Sequence, residues 1–266
     1  MVFPFFKRFF NSVLVSNNTG PCMFIRKCIL AEESHAPRQP VKELLSALHE
    51  SFGANLGSSI DTPNTPILDS IDLNSRIISS FKLALLNDNK YDAHKSGCAE
   101  VLDEVFSDFA IAMYLNSIGL IVPARMSTRR ALELGLSAVY MWDMPHEYWG
   151  WRKRDQDLSF SAMVTHLNSS GYLEYMAQLK GPSANACFCD QANFQALYRI
   201  LSNTVHGKIA DLPALAPERF STITNGLAEH LELIVRTQNA VVCLLFGRFS
   251  ELEAAIHSIL PQIQRP

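Results

Sequence analysis

From Ile67 to about residue 260, apolar side chains recur three and four positions apart, and this period most constrains the fold. Ile67, Ile71, Ile78, Phe81 and Leu85 trace one stripe, and Leu102, Val105, Phe109 and Ala112 trace the next. Glu100, Asp103, Glu104 and Asp108 fall opposite the second stripe, where a solvated outer face is expected rather than a metal site. Pro123 suits the opening turn of a third helix, ARMSTRRALELGLSAVYMWD. The second half of that helix is apolar nearly all round and should run through the middle of a bundle. Residues 158–180 read as one or two shorter helices. Asp190 is set to cap a helix running to Gly207, Pro217 to open a long one through Phe246, and a last amphipathic helix covers about 250–260. Strand alternation, hairpin dipeptides, internal repeats and glycine-rich phosphate loops are absent. The expected fold is an all-α helical bundle with short connections over residues 67–266. Leu132, Val139, Phe109, Phe81, Leu197, Leu201 and Leu231 should share its core.

The chain ahead of the bundle reads differently. Pro37, Pro40, Gly53, Gly57, Pro63 and Pro66, set among serine and asparagine, are loop signals. They divide a lead segment (1–40), expected to be peripheral or poorly ordered, from a short helix (VKELLSALHESF) and loop at 41–66. Residues 2–15, VFPFFKRFFNSVLV, are phenylalanine-rich, but Pro4, Lys7, Arg8 and Asn11 interrupt them. A secretory signal places its charge before an unbroken apolar run, and a bilayer span needs roughly 20 apolar residues. No integral membrane segment is therefore expected, although an amphipathic surface helix touching a membrane or partner remains open. Translation starting at Met23 is a further alternative.

Charge and cysteine usage narrow the class. Twenty-three basic and 26 acidic residues leave a net charge of −3, so any polyanion binding must be local. Hydrophobic residues make up 48% and charged residues 18%, which excludes a disordered chain or a basic RNA-coating tail. Cys22, Cys28, Cys98, Cys187, Cys189 and Cys243 are too sparse for a disulfide scaffold and point to the cytoplasm. Cys98 and Cys243 sit in apolar periodic segments and read as core thiols. Cys187 and Cys189 lack a second ligand pair, so neither a metal nor a cofactor is expected.

Two segments carry candidate chemistry. Arg125, Arg129 and Glu133 lie on the third helix, with Arg129 and Glu133 spaced to pair on one face. The turn WDMPHEYWGW and Arg152, Lys153 and Arg154 follow, and Trp142, Trp149 and Trp151 read as a packed helical corner in preference to a stacking platform. The second segment is YRILSNTVHGK, residues 198–208. Arg199, Ser202, Asn203 and His206 fall within about 100° of arc at helical spacing, and Phe194, Leu197, Leu201 and Val205 point about 140° away. The polar stripe should therefore face solvent, a partner or a substrate. On residue chemistry alone, His206 also suits a plain helix C-terminus, where a cation is favoured, and Arg199 an ordinary surface position.

RRALELGLSAVY on one helix and YRILSNTVHGK on a later one resemble the pattern of HEPN domains, the higher-eukaryote and prokaryote nucleotide-binding domains. Members are all-α bundles that often carry an arginine and a histidine four to six residues apart on a late helix, with a polar residue between. An R/E-x-x-x-R/E pair lies on an earlier helix. Arg199 and His206, with six residues between them, fit the wide end of that spacing. Asn203 and Ser202 resemble the polar intermediates, and Arg129 and Glu133 the earlier pair. The likeness covers roughly residues 67–250.

The resemblance implies metal-independent RNA cleavage by 2′-hydroxyl attack, in a homodimeric effector of bacterial defence or a toxin system, with a possible protein partner encoded nearby. In that role His206 moves the proton and Arg199 stabilises the transition state. Asn203 and Ser202 position the phosphate or orient the histidine, while Arg125, Arg129, Glu133 and Lys208 bind substrate or support the site. The chemistry suits these residue types. Histidine titrates nearest neutrality, and a guanidinium fork binds a phosphorane bidentately. Arg199 and His206 stand about 10.5 Å apart along a helix, so two long side chains can converge, or a second copy can supply the missing group. The alternatives are a non-catalytic HEPN-like module that binds a nucleotide, RNA or protein, and a membrane-associated helical protein acting through residues 1–15.

Overall fold

The structure, a computed structural model, describes residues 39–61, 65–89, 91–154, 156–181, 189–206, 208 and 224–260. All regular structure among them is helical: α1 (Gln39–Asp61), α2 (Thr65–Asn89), α3 (Ala93–Ser117), α4 (Ile121–Asp143), α5 (Pro145–Arg154), α6 (Phe160–Leu167), α7 (Ser170–Lys180), α8 (Gln191–Val205), α9 (Thr224–Arg248), a 3₁₀ turn (Ser250–Leu252) and α10 (Glu253–Ile259). The chain is an α-helical bundle. No helix among the described residues is long and apolar enough to cross a membrane.

Helix starts follow local chemistry. The Asp92 carboxylate accepts from the backbone amides of His94 and Lys95 and so caps α3. Ser159, Ser169 and Asp190 cap α6, α7 and α8 in the same way, and Pro145 opens α5. Between α3 and α4 the chain reverses at Gly119, whose φ of 87° favours glycine.

α4 is the central element. Gly135 through Met141 are all buried, and the helix packs against α3, α8, α9, α6 and α5. α2 closes the bundle against α3 and α9. All seven expected core residues lie in one apolar cluster. Gly135 is where α9 comes closest, since a Cβ there would stand 2.8 Å from Cγ2 of Val241. Polar groups also bridge the helices. Asn74 of α2 donates to Asn239 of α9 at 2.8 Å, and Gln238 donates to Ser75 at 3.0 Å. The Asp143 carboxylate accepts from Nε and Nη2 of Arg248 and from the Tyr172 hydroxyl, in a nearly dry cluster joining α4, α9 and α7.

Several expectations need correction. Residues 53–61 are helical, because α1 continues through Gly53 and Gly57 to Asp61. Glycine in mid-helix costs about 1 kcal/mol, but the helix is anchored after each of them. Asn55 donates to the Ile118 carbonyl at 3.1 Å and Ser59 to the Ser117 carbonyl at 3.0 Å. Asp108 is buried and does not join a solvated face. Arg130 reaches from α4 and clamps it with both contacts under 3 Å, while also pairing with Glu104. Burial pushes the Asp108 carboxyl up, against the pull of Arg130. Cys98 is a core thiol whose pKa burial raises to about 12, whereas Cys243 is exposed on the outer side of α9. Phe246 falls inside α9, which ends two residues later; Pro217, Gly207, Cys187 and the lead segment before residue 39 lie outside the described residues.

Candidate functional site

α8 carries the polar stripe, and its apolar side sets the stripe's direction. Phe194, Leu197 and Leu201 are buried against the bundle. Val205, expected beside them, is exposed, and Thr204 takes the inward position. The reason is Arg125, which extends from α4 into the interior and donates to the Thr204 hydroxyl at 3.2 Å. Arg125 therefore joins α4 to α8 from the inside and does not reach the surface. On the other side of α8, Arg199 and His206 are exposed, while Ser202 and Asn203 are half-buried. The side chains of Arg199, Asn203 and His206 make no hydrogen bond or ion pair among the described residues. Ser202 Oγ is shielded from solvent and has no hydrogen-bond partner among the described residues. The exposed Lys208 donates its backbone amide to the Asn203 carbonyl at 3.0 Å, folding the chain back over the end of the helix.

Arg129 and Glu133 form the ion pair that their spacing implies, at 2.9 Å, and the pair is tied to α8. Arg129 Nη2 donates to the Tyr198 hydroxyl at 2.8 Å, and the guanidinium lies 4.8 Å from the centre of the Tyr198 ring. Phe160 stacks on that ring at 4.1 Å and 11°. Tyr198 is thus held by a guanidinium and by a second aromatic ring. The tyrosine joining the two motif helices is the residue that spacing arguments missed, although it stands directly before Arg199.

Arg129, Glu133 and Tyr198 line an open groove of about 660 Å³. Trp151, Asp157 and Gln195 face the same space, with Leu134, Leu158 and Phe160 as apolar wall. Arg199, Asn203 and His206 are not among its lining residues. A second groove, about 710 Å³, contains Lys95, Trp142, Lys180 and Arg248. Its cations are already engaged: Arg248 by Asp143, Lys180 by the Gly247 carbonyl and the Ser250 hydroxyl, and Lys95 over the Trp142 ring at 5.5 Å. The aromatic corner is built around Tyr148, which is fully buried, while Trp149 and Trp151 keep more than a third of their surface exposed. Trp142 packs edge-on against Phe249 at 5.0 Å. Gly97 makes room for the corner, since a Cβ there would overlap the Tyr148 hydroxyl.

His230 of α9 escaped the sequence reading altogether. It is wholly buried, and neither ring nitrogen has a hydrogen-bond partner among the described residues. Burial, reinforced by the charge of Arg125, pulls its pKa down to about 3. No group of three or more His, Cys, Asp or Glu side chains is arranged to hold a metal among the described residues. Among the described residues the fold is an all-α bundle in which α8, with its outward polar stripe, also lines the groove beside Arg129. No family model, curated protein or solved structure matches the chain.

Proposed function

We propose that this chain is a HEPN-like, metal-independent endoribonuclease of a bacterial defence or toxin system, acting as a homodimer in the cytoplasm. One observation carries the reading. Arg199 and Asn203 on the outward side of α8 and His206 at its C-terminal cap have no side-chain partner among the described residues, and the helix is joined through Tyr198 to the Arg129–Glu133 pair. In cleavage, the RNA 2′-oxygen attacks the adjacent phosphorus. The P–O2′ bond forms, the P–O5′ bond breaks, the 2′-hydroxyl proton passes to a base, and the departing 5′-oxygen gains a proton. His206 takes one of these proton-transfer roles, and a second copy's stripe brings the other. Arg199 binds the charge that builds on the phosphorane oxygens. Asn203 positions the phosphate, Ser202 stays behind it with its hydroxyl shielded from solvent, and Arg129 with Glu133 fixes α8 against α4.

The products expected are a 2′,3′-cyclic phosphate and a 5′-hydroxyl, formed equally well in EDTA and blocked by a 2′-deoxy substitution at the cut site. His206→Ala and Arg199→Ala should each abolish cleavage while leaving the free energy of unfolding within about 0.5 kcal/mol of the parent, as for exposed side chains generally. Purified protein that binds RNA yet never cuts it would sink the proposal. The second reading, a non-catalytic module binding a nucleotide, RNA or protein, is favoured by the groove beside Arg129, because Arg199 and His206 stand outside it. Sedimentation separates the two further. The ribonuclease requires a dimer, free or on RNA, with the α8 stripe at or beside its two-fold axis.

A further inference from the structure

The groove between α4, α6 and α8 has a hydrogen-bonding pattern of its own. Arg129 directs Nε to Glu133 and Nη2 to Tyr198, which leaves the two N–H bonds of Nη1 without a partner among the described residues. Glu133 accepts through Oε1 at 2.9 Å, and its Oε2 accepts from no described residue. The pair thus offers one donor edge and one carboxylate acceptor side by side, in a geometry held by two hydrogen bonds and a cation–π contact. The rest of the lining adds acceptors, the Asp157 carboxylate and the Gln195 amide oxygen among them. One guanidinium against two carboxylates makes the groove acidic, so it is a poor seat for a phosphate.

Its aromatic surfaces are not equivalent. The Tyr198 ring is already engaged, stacked on Phe160 and approached by the Arg129 guanidinium. Trp151 keeps 36% of its surface exposed and stands at the groove wall, where a planar ligand can stack. A volume of about 660 Å³ lies within the range of small-molecule sites. A planar, uncharged ring rich in N–H donors, with one acceptor beside them, therefore meets every feature of the groove. Guanine is the nucleobase that fits best: N1–H and the N2 amino group present adjacent donors to a carboxylate, and O6 beside them accepts from an arginine. Adenine offers one amino group and no ring N–H on that edge.

The geometry points to this groove as a guanine-binding subsite, in which Glu133 and Arg129 read the base edge and Trp151 stacks on its face. The inference rests on the ribonuclease reading only in making the guanine part of the RNA substrate. Ser202 lies one turn beyond Tyr198 on α8, about 6 Å along the axis, so the ribose and phosphate of a seated nucleotide would run toward the polar stripe.

Binding of free mononucleotides to the whole chain tests the subsite separately from cleavage. GMP, IMP, AMP, CMP and UMP are titrated against tryptophan fluorescence and, in parallel, by equilibrium dialysis. GMP should bind at least about tenfold more tightly than AMP, which matches the value of one bidentate base contact. IMP, lacking the N2 amino group, should fall between them. This ligand series needs no variant that might fail to fold. Glu133→Gln, which sets an amide against the base donors, should bring GMP affinity down to that of AMP. Trp151→Leu should remove the fluorescence response and weaken all purines. Equal binding of GMP and AMP, or no saturable GMP binding by either method, overturns the subsite. RNA cut without base preference by a chain that does not bind GMP would discard the groove and leave the ribonuclease standing. Guanine-selective binding without cleavage would keep the subsite and remove the ribonuclease.

Discussion

Replacing His230 with leucine should change how the protein responds to acid more than how stable it is at neutrality. The imidazole is fully buried in α9, has no hydrogen bond at either nitrogen among the described residues and lies near the Arg125 charge, so its pKa falls from 6.5 to about 3. An unfolded chain takes up a proton here near pH 6.5 that the folded chain refuses. The stabilising contribution is therefore fully present above pH 6.5 and declines as pH falls, by roughly tenfold in the folding constant per pH unit until about pH 3. At pH 5 this site alone removes about thirtyfold, or about 2 kcal/mol. His230→Leu fills a similar volume and leaves no unpaired nitrogen, so stability at pH 7 should hold or rise. The check is urea unfolding of both proteins at pH 7 and pH 5. The variant should gain about 2 kcal/mol on the parent between the two conditions. An identical stability difference at both pH values would show that His230 is not held neutral by burial, and the reasoning would fail.

Other perturbations probe the bundle's joints. Asp143→Ala leaves the Arg248 guanidinium buried without its carboxylate and should cost about 3–5 kcal/mol, read as a lower urea midpoint. Gly135→Ala places a methyl 2.8 Å from Val241 Cγ2; overpacking of about 1–3 kcal/mol should exceed the roughly 1 kcal/mol gain in helix propensity, and adding Val241→Ala should restore stability. Asp190→Ala removes the oxygen that caps α8 and should lower stability by about 1 kcal/mol while loosening amide-exchange protection in the first turn of that helix.

What could be read from the sequence divides along physical lines. Helices and their apolar faces were legible because period and capping are local, as at Asp190 and through Leu132 and Val139. The continuation of α1 through two glycines was not, because Asn55 and Ser59 find their acceptors about 60 residues away. Asp108 looked solvated because its partner, Arg130, belongs to another helix. At the site, spacing anticipated the Arg129–Glu133 pair and the outward face of α8. It had no means of finding Arg125 inside the bundle, Tyr198 held by a ring and a guanidinium, or His230 in the interior. Each depends on two or three helices meeting, which a single helix's pattern does not encode.

The Asp143–Arg248 pair spans 105 residues of chain, and that separation has a consequence during synthesis. At roughly 5–20 residues per second, about 5–20 s pass between the appearance of the carboxylate and that of the guanidinium that receives it. Throughout that interval the C-terminal end of α4 holds an acidic group with its arginine not yet made. Docking that end into a dry environment is disfavoured until Arg248 emerges. The central helix is thus kept from sealing its last turn early. A nascent chain should gain protease resistance in two stages, first around α3 and the body of α4, and then at the α4–α7–α9 junction once residue 248 is available.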